Sequence, residues 1–266
     1  MARRRRRDGG DRYRGKVVVV SGASAGLGRR VSLDLASAGA SVTAVARRGE
    51  RLDEVAEELR RRSDDSAVSV CDVSDTGAWA ALVHEVEKSR GAIDVLVNNA
   101  GYDPGVRLAE MTMADVRRTF EVNFFAAVAG TLAVLPGMMD RGSGIVVNVS
   151  SDGGRLPSPG PGVYPASKAA LSAFTESVSF RAERRGVRLH TVYPAWMPTA
   201  MGRDALGRGL RAPPRLTRRT EEEVARLIVD TMGGRSLEIS ASRLIDAATV
   251  FRAVMPRTYH RLRRSW

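Results

Sequence analysis

Short runs of β-branched and apolar residues alternate along this chain with longer stretches whose apolar residues recur at helical spacing, and that alternation constrains the fold more than any other feature. Residues 16–20, 41–45, 67–70, 93–97, 144–149 and 187–192 read as strands. Residues 28–37, 51–62, 78–89, 114–139 and 164–184 read as amphipathic helices. Strand and helix in turn imply right-handed crossovers and a parallel sheet, so the expected fold is a single α/β domain, doubly wound, with helices on both faces. A length of 266 residues with 43% hydrophobic content suits one such domain. Ligands of these sheets sit at the carboxyl ends of the strands, so chemistry is sought in the turns that leave them.

The formal net charge of +12 raises nucleic acid or an anionic surface as a partner, but the excess collects at the ends: Arg3 to Arg7, and the tract from Arg257 to Trp266. Residues 1–14 are expected to be a disordered, solvated basic arm, and no specific nucleic-acid contact is expected. Val17 to Val20 is too short for the apolar part of a signal peptide, and no run approaches the roughly 18 apolar residues of a membrane span. One cysteine, Cys71, and three scattered histidines, His84, His190 and His260, offer neither a disulfide framework nor metal-ligand spacing. These features suit a reducing cytoplasm, with no metal expected.

The first strand runs into Ser21-Gly22-Ala23-Ser24-Ala25-Gly26-Leu27-Gly28, which opens the first helix. Glycines there let the backbone turn sharply and approach a pyrophosphate, whose charge the free N–H groups of the helix start would hold. An ordinary tight turn has the same composition, and Gly22-Ala23-Ser24-Ala25-Gly26 also fits a hydrolase nucleophile elbow with Ser24 as nucleophile. Ser24 follows only one strand, however, and no histidine occupies a strand-end loop to serve it, His190 lying inside a strand. The second strand ends Val45-Ala46-Arg47-Arg48. An acid at this point binds the ribose 2′-hydroxyl of NAD; Ala46 with two arginines suits the 2′-phosphate of NADP instead, unless the arginines are simply solvated.

From Gly22 onward the sequence resembles the short-chain dehydrogenase/reductase family over roughly its first 200 residues. The matching motifs are Gly22-x-x-x-Gly26-x-Gly28, Asp72-Val73, Asn98-Asn99-Ala100-Gly101, Asn123, Ser150-Ser151, Tyr164-x-x-x-Lys168, and Pro194 to Thr199, all in order and spacing. The resemblance implies a Rossmann-type fold and hydride transfer between NADP(H), preferred over NAD(H), and a small-molecule carbonyl or secondary alcohol. Gly22, Ser24, Ala25, Gly26, Leu27 and Gly28 would hold the pyrophosphate, and Arg47 and Arg48 the 2′-phosphate. Asp72 and Val73 would meet adenine, Asn99, Ala100 and Gly101 would flank the adenosine ribose, and Pro194, Ala195, Met197 and Thr199 would lie beside the nicotinamide amide. Asn98 is assigned to the sheet.

For catalysis the resemblance implies Tyr164 as general acid/base, Ser151 as donor to the substrate oxygen, Lys168 on the nicotinamide ribose, and Asn123 as the helix-kinking residue of a proton relay. Tyr164 and Lys168, four apart, share a helix face. A phenol titrates at about 10, and the Lys168 ammonium together with a positively charged oxidised nicotinamide is expected to lower that value. A non-catalytic dinucleotide sensor is the other reading of the same site.

The departures are Ser21 for the family threonine, Ala25 without a cation, and Ala195 for a glycine, with Trp196-Met197-Pro198 making that loop bulky and suited to a hydrophobic substrate. Residues 201–219, with six arginines, stand where the family has its substrate lid, and those arginines either meet an anionic group or are solvated. Thr220-Glu-Glu-Glu223 starts a further helix by a capping box. Residues 235–266 form a divergent segment: a short strand at 237–239, then a tail with Leu244, Ile245, Val250, Phe251, Val254 and Met255 that could lie on an anionic membrane, on the domain or on a second subunit. The helices from Ala114 and Tyr164 form the subunit contact in the family, so a homodimer or homotetramer is expected.

Overall fold

Every valine of the first strand is buried, because both faces of the sheet are covered. In the computed structural model, which describes residues 12–157, 160, 162–208 and 213–263, that strand is β1 (Val17–Ser21). It pairs in parallel with β2 (Ser41–Ala46) and β4 (Val95–Asn98); β3 (Ala67–Val70) flanks β2, and β5 (Gly144–Val149) and β6 (Val187–Tyr193) follow β4. β7 (Glu238–Ser240) closes the row, giving the order β3-β2-β1-β4-β5-β6-β7. The short run expected at 237–239 is therefore the sheet's seventh strand, one residue later.

Successive side chains of a strand point to opposite faces. Val18 and Val20 enter one apolar cluster, with Val31 and Leu35 of α1 (Gly26–Ser37), Val55 and Leu59 of α2 (Gly49–Arg60), and Val224 and Ile228 of α9 (Glu221–Thr231). Val17 and Val19 enter the other, with Trp79 and Val83 of α3 (Thr76–Arg90), Val134 and Met138 of α5 (Ala126–Asp140), and Ala182 of α7 (Val163–Glu183). The C-terminal quarter thus contributes α9 to the same core as the first strand.

The helix expected at 114–139 is continuous in path but not in winding. α4 (Met113–Phe120) passes through a π turn at Glu121–Phe125, with Asn123 at its centre, before α5 begins. By length and mean hydropathy, 1.7 over its most apolar window, Met113–Asp140 could cross a membrane, which corrects the expectation that no stretch qualifies. Glycine and threonine interrupt the apolar run without lowering its average enough, and the helix packs on the sheet, where Asn98 donates to the Ala127 carbonyl and to Thr131 Oγ1.

The amino-terminal arm is shorter than expected. Residues 1–11 lie outside the described residues, but Tyr13 is buried, its hydroxyl donating to the Val229 carbonyl at 2.7 Å, and Arg12 donates to the carbonyls of Asp230 and Met232. The tail forms α10 (Arg243–Val254) and α11 (Pro256–Arg263), with Leu244, Val250, Val254 and Met255 exposed and Ile245 and Phe251 half-buried. Because Ile228 is fully buried between α9 and α1, Ile228→Ala is expected to cost about 2–5 kcal/mol in urea unfolding. A loss below about 0.5 kcal/mol, the range of surface substitutions, would detach the C-terminal quarter from the core.

Candidate functional site

The sheet order reverses between β1 and β4, and their exit turns meet there. Gly22 has φ +68°, and a Cβ on it would stand 2.8 Å from Ala100 Cα, so only glycine allows the two turns this approach. Ser21 Oγ accepts from the backbone N–H groups of Asn99 and Ala100 at 3.1 and 3.2 Å, doing what a threonine would do. Asn99 Nδ2 donates to the carbonyls of Ser21 and Gly22. Its amide is thus committed to holding the glycine turn, a task that sequence reasoning did not assign to it.

α1 starts at Gly26 without a side-chain cap, behind an extended Ala25, whereas Asp75, Thr112, Thr199, Thr220 and Ser242 cap other helices. The first N–H groups of α1 are left with the partial positive charge that a pyrophosphate would meet. A Cβ on Gly26 would meet nothing nearer than Thr199 Cγ2 at 3.7 Å. The turn therefore fits a dinucleotide: packed at Gly22, open at Gly26 and unsatisfied at the helix start. Ser24 is half-buried and Leu27 buried beside it.

At the far end of the groove Asp72 accepts from Ser74 N and Oγ and pairs with Arg118 at 3.1 Å; burial raises its pKa, but those bonds outweigh it and hold the carboxyl below its usual range. Arg47 reaches the same carboxylate at 3.8 Å while 64% exposed, and Arg48 is exposed beside it. Val73 is buried in the core with Trp79, so any contact it makes with adenine is through its backbone.

The catalytic candidates converge at the carboxyl end of β5. Lys168 is buried and donates to the Val149 carbonyl at 2.8 Å; desolvation drives its pKa from 10.5 to about 8. Burial pushes the Tyr164 phenol up to about 12, against the opposing pull of a hydrogen bond with Ser151 and with a further push from Asp103. The expected lowering counts on a bound oxidised nicotinamide as well as the ammonium; in the chain by itself burial outweighs the Ser151 contribution and the phenol moves up. Asn123 Oδ1 accepts from Tyr102 N, and its Nδ2 donates to the Tyr102 carbonyl and to Ser167 Oγ, which in turn donates to the Tyr164 carbonyl. The Asn123 oxygen and Lys168 Nζ both lie within 3.8 Å of where a Cβ on Gly101 would stand. Ser167 and Asp103 carried no motif and were missed; only their distance in space from Tyr164 reveals them.

Pro194 is buried at the end of β6, and Ala195 has φ +63°, the single non-glycine residue with positive φ among those described. That is the left-handed region that favours glycine, held here by an L residue at a cost of order 1–2 kcal/mol. Met197 packs on the core, and Thr199 caps α8 (Ala200–Gly207) by accepting from Gly202 N. Of the arginines in the expected lid, Arg208 pairs with Asp103 at 3.1 Å, Arg203 donates to the Pro198 carbonyl, Arg218 donates to the Pro213 carbonyl and lies over the Trp196 ring, and Arg219 donates to the Leu216 carbonyl. Arg211 lies outside the described residues. His190 is buried with Nδ1 against the Ser236 carbonyl and Nε2 accepting from Gly233 N, leaving it no role as a base for Ser24.

Comparisons with known proteins bear on this geometry. A family model described as short chain dehydrogenase matches residues 16–207. An oxidoreductase of Mycobacterium tuberculosis is 37% identical over 196 residues, 72% of this chain and 58% of the relative, so the chain spans less than two thirds of that protein. The crystal structure of a short-chain dehydrogenase from Streptomyces avermitilis superposes with TM-score 0.77 at 28% identity, covering 94% of this chain and 98% of that one. A metagenomic short-chain oxidoreductase solved in complex with NADP gives TM-score 0.71 at 29% identity, over 86% and 97% of the two chains.

A lysine that titrates near 8 when folded and near 10.5 when unfolded withholds stability for as long as it must stay charged. Its penalty is full below pH 8 and fades as pH rises toward 10.5, whereas Tyr164, shifted upward, acts only above pH 10 and in the opposite sense. Unfolding free energy is expected to rise between pH 8 and 10 in the wild-type chain relative to Lys168→Met. Parallel profiles for the two would remove the buried charge from the account.

Proposed function

Because the chain belongs to the short-chain dehydrogenase family, we propose that it is an oxidoreductase moving a hydride between a nicotinamide dinucleotide and a small-molecule carbonyl or its alcohol. The observation that carries this reading is the convergence of Ser151, just past β5, with Tyr164 and Lys168, one helical turn apart on α7, at the edge where the uncapped start of α1 also opens. When bound, the nicotinamide supplies or accepts the hydride.

The chain's own residues would do the rest. The unsatisfied N–H groups at the start of α1, Gly26 to Gly28, would hold a pyrophosphate by its charge. Ser151 Oγ donates to the substrate oxygen and fixes it within reach of Tyr164. Tyr164 Oη gives that oxygen a proton as charge develops there, or removes one in the reverse direction. A phenol held near 12 stays protonated at neutral pH, ready as an acid. Lys168 Nζ, which donates to the Val149 carbonyl, is near Asn123 Oδ1 across Gly101, a path by which the phenol regains its proton.

NADP(H) is the preferred cofactor in this reading. Ala46 leaves no acid at the end of β2, Arg47 and Arg48 stand exposed beyond it, and one solved neighbour holds NADP. A homodimer through α5 and α7 is also proposed, supported by the exposed Phe125, Leu132 and Phe180 on and beside these helices.

Purified protein given NADPH or NADH with a panel of ketones and aldehydes tests the reaction; dinucleotide binding without turnover of any carbonyl would support a sensor instead. Tyr164→Phe is expected to lower turnover by about 10²- to 10⁴-fold while leaving NADPH binding in place, and a fully active variant would remove the phenol from the mechanism. Replacing Arg47 and Arg48 by alanine should weaken NADPH by about ten- to a hundredfold and NADH little, measured by cofactor fluorescence. Equal losses for the two would end the case for 2′-phosphate recognition.

A further inference from the structure

Arg155 follows the serine pair in a Gly-Gly-Arg stretch that carries no motif, yet its side chain is only 9% exposed. It ends α6 (Asp152–Arg155), a single turn capped by Ser151, whose Oγ accepts from Gly153 N at 3.1 Å. A helix this short has too few internal bonds to hold itself, so its placement comes from what grips its two ends. One end is Ser151. The other is Arg155, whose guanidinium reaches Asp152 at 3.2 Å, Asp246 at 3.0 Å, Glu238 at 3.4 Å and Ser240 Oγ at 3.1 Å, and lies 3.7 Å from the centroid of the Tyr193 ring. Ser240 Oγ donates to Asp246 at 2.6 Å, and Arg252 donates to the Arg155 carbonyl.

These partners come from separate parts of the chain. Tyr193 ends β6 and leads directly into Pro194 and Ala195; Glu238 and Ser240 belong to β7; Asp246 and Arg252 belong to α10. All but Tyr193 and Asp152 lie beyond residue 207, where the family match ends. A guanidinium this buried is held only while its anions and acceptors stay in place, and its planar fork satisfies several of them at once, which a lysine cannot do.

We propose that Arg155 is a positioning residue through which the C-terminal segment, β7 and α10, sets the direction of Ser151 Oγ. The proposal rests on the reading of Ser151 as the donor to the substrate oxygen. It gives the divergent end of the chain a task in catalysis without any contact with substrate: α10 grips Arg155, Arg155 fixes the single turn of α6, and that turn aims the serine toward Tyr164.

Asp246→Asn in the full chain tests this, because the side chain keeps its shape and a hydrogen-bonding oxygen, loses its charge, and is 40% exposed, so folding is expected to survive. A misplaced donor is expected to lower kcat by about ten- to a hundredfold with KM for NADPH changed less than about twofold. Hydrogen exchange of residues 150–157 should quicken. In a Ser151→Ala background the same substitution should have little further effect on kcat, since the group being aimed is already gone. An equal fall in kcat with and without Ser151, or unchanged kcat and unchanged exchange at 150–157, would overturn the proposal. If the wild-type chain reduces no carbonyl, the oxidoreductase reading fails instead, and exchange at 150–157 alone then decides whether α10 holds α6.

Discussion

A sheet whose strands all run the same way delivers every strand-exit turn to one edge, and the site of this protein follows from that constraint. The turns after β1, β4, β5 and β6 come from four distant stretches of sequence, yet they share a rim because the parallel register leaves them nowhere else to go. The reversal of strand order between β1 and β4 parts the crossovers to opposite faces and opens the rim at its centre. Gly22 lets the first turn touch Ala100 of the second, and Asn99 bonds back across the gap.

The same rim concentrates groups that do not favour the folded state when left to themselves. Lys168 is buried and donates to the Val149 carbonyl, α1 begins without a side-chain cap, and Ala195 holds a backbone conformation that glycine would adopt at less cost. Each of these is a small loss for a chain whose interior is otherwise packed on both faces of the sheet. Together they describe a surface complementary to a bound anion and to a reacting oxygen, built at the expense of local stability.

The strands and most helices were legible in the sequence because burial on both faces writes them as unbroken valine-rich runs, as at 17–20 and 144–149. Gly22 was legible as the turn that leaves the first strand, whereas Ser151, Tyr164 and Lys168 were singled out through the family resemblance, the last two also sharing one helix face. What could not be read depended on contacts across the sequence. A kink at Asn123 was implied by the resemblance, but the π form of the turn arises where the side chain ties to Tyr102 and Ser167, contacts that residues 121–125 alone do not announce. The direction of the Tyr164 shift required knowing how deeply the phenol is buried, and Tyr13 looked like part of a basic arm until α9 was seen to cover it. Nothing in the sequence singles out Arg155, because its partners lie more than 80 positions away in Glu238 and Ser240 and further still in Asp246 and Arg252.

The central claim is spatial: the phenol of Tyr164 and the ammonium of Lys168 face the same dinucleotide whose phosphates rest on the opening of α1. A crystal structure of the chain with NADPH tests it most directly. The account predicts pyrophosphate against the backbone of residues 26–28 and the nicotinamide on the side of Tyr164 and Ser151. A dinucleotide bound elsewhere, or a nicotinamide turned away from that phenol, would contradict it.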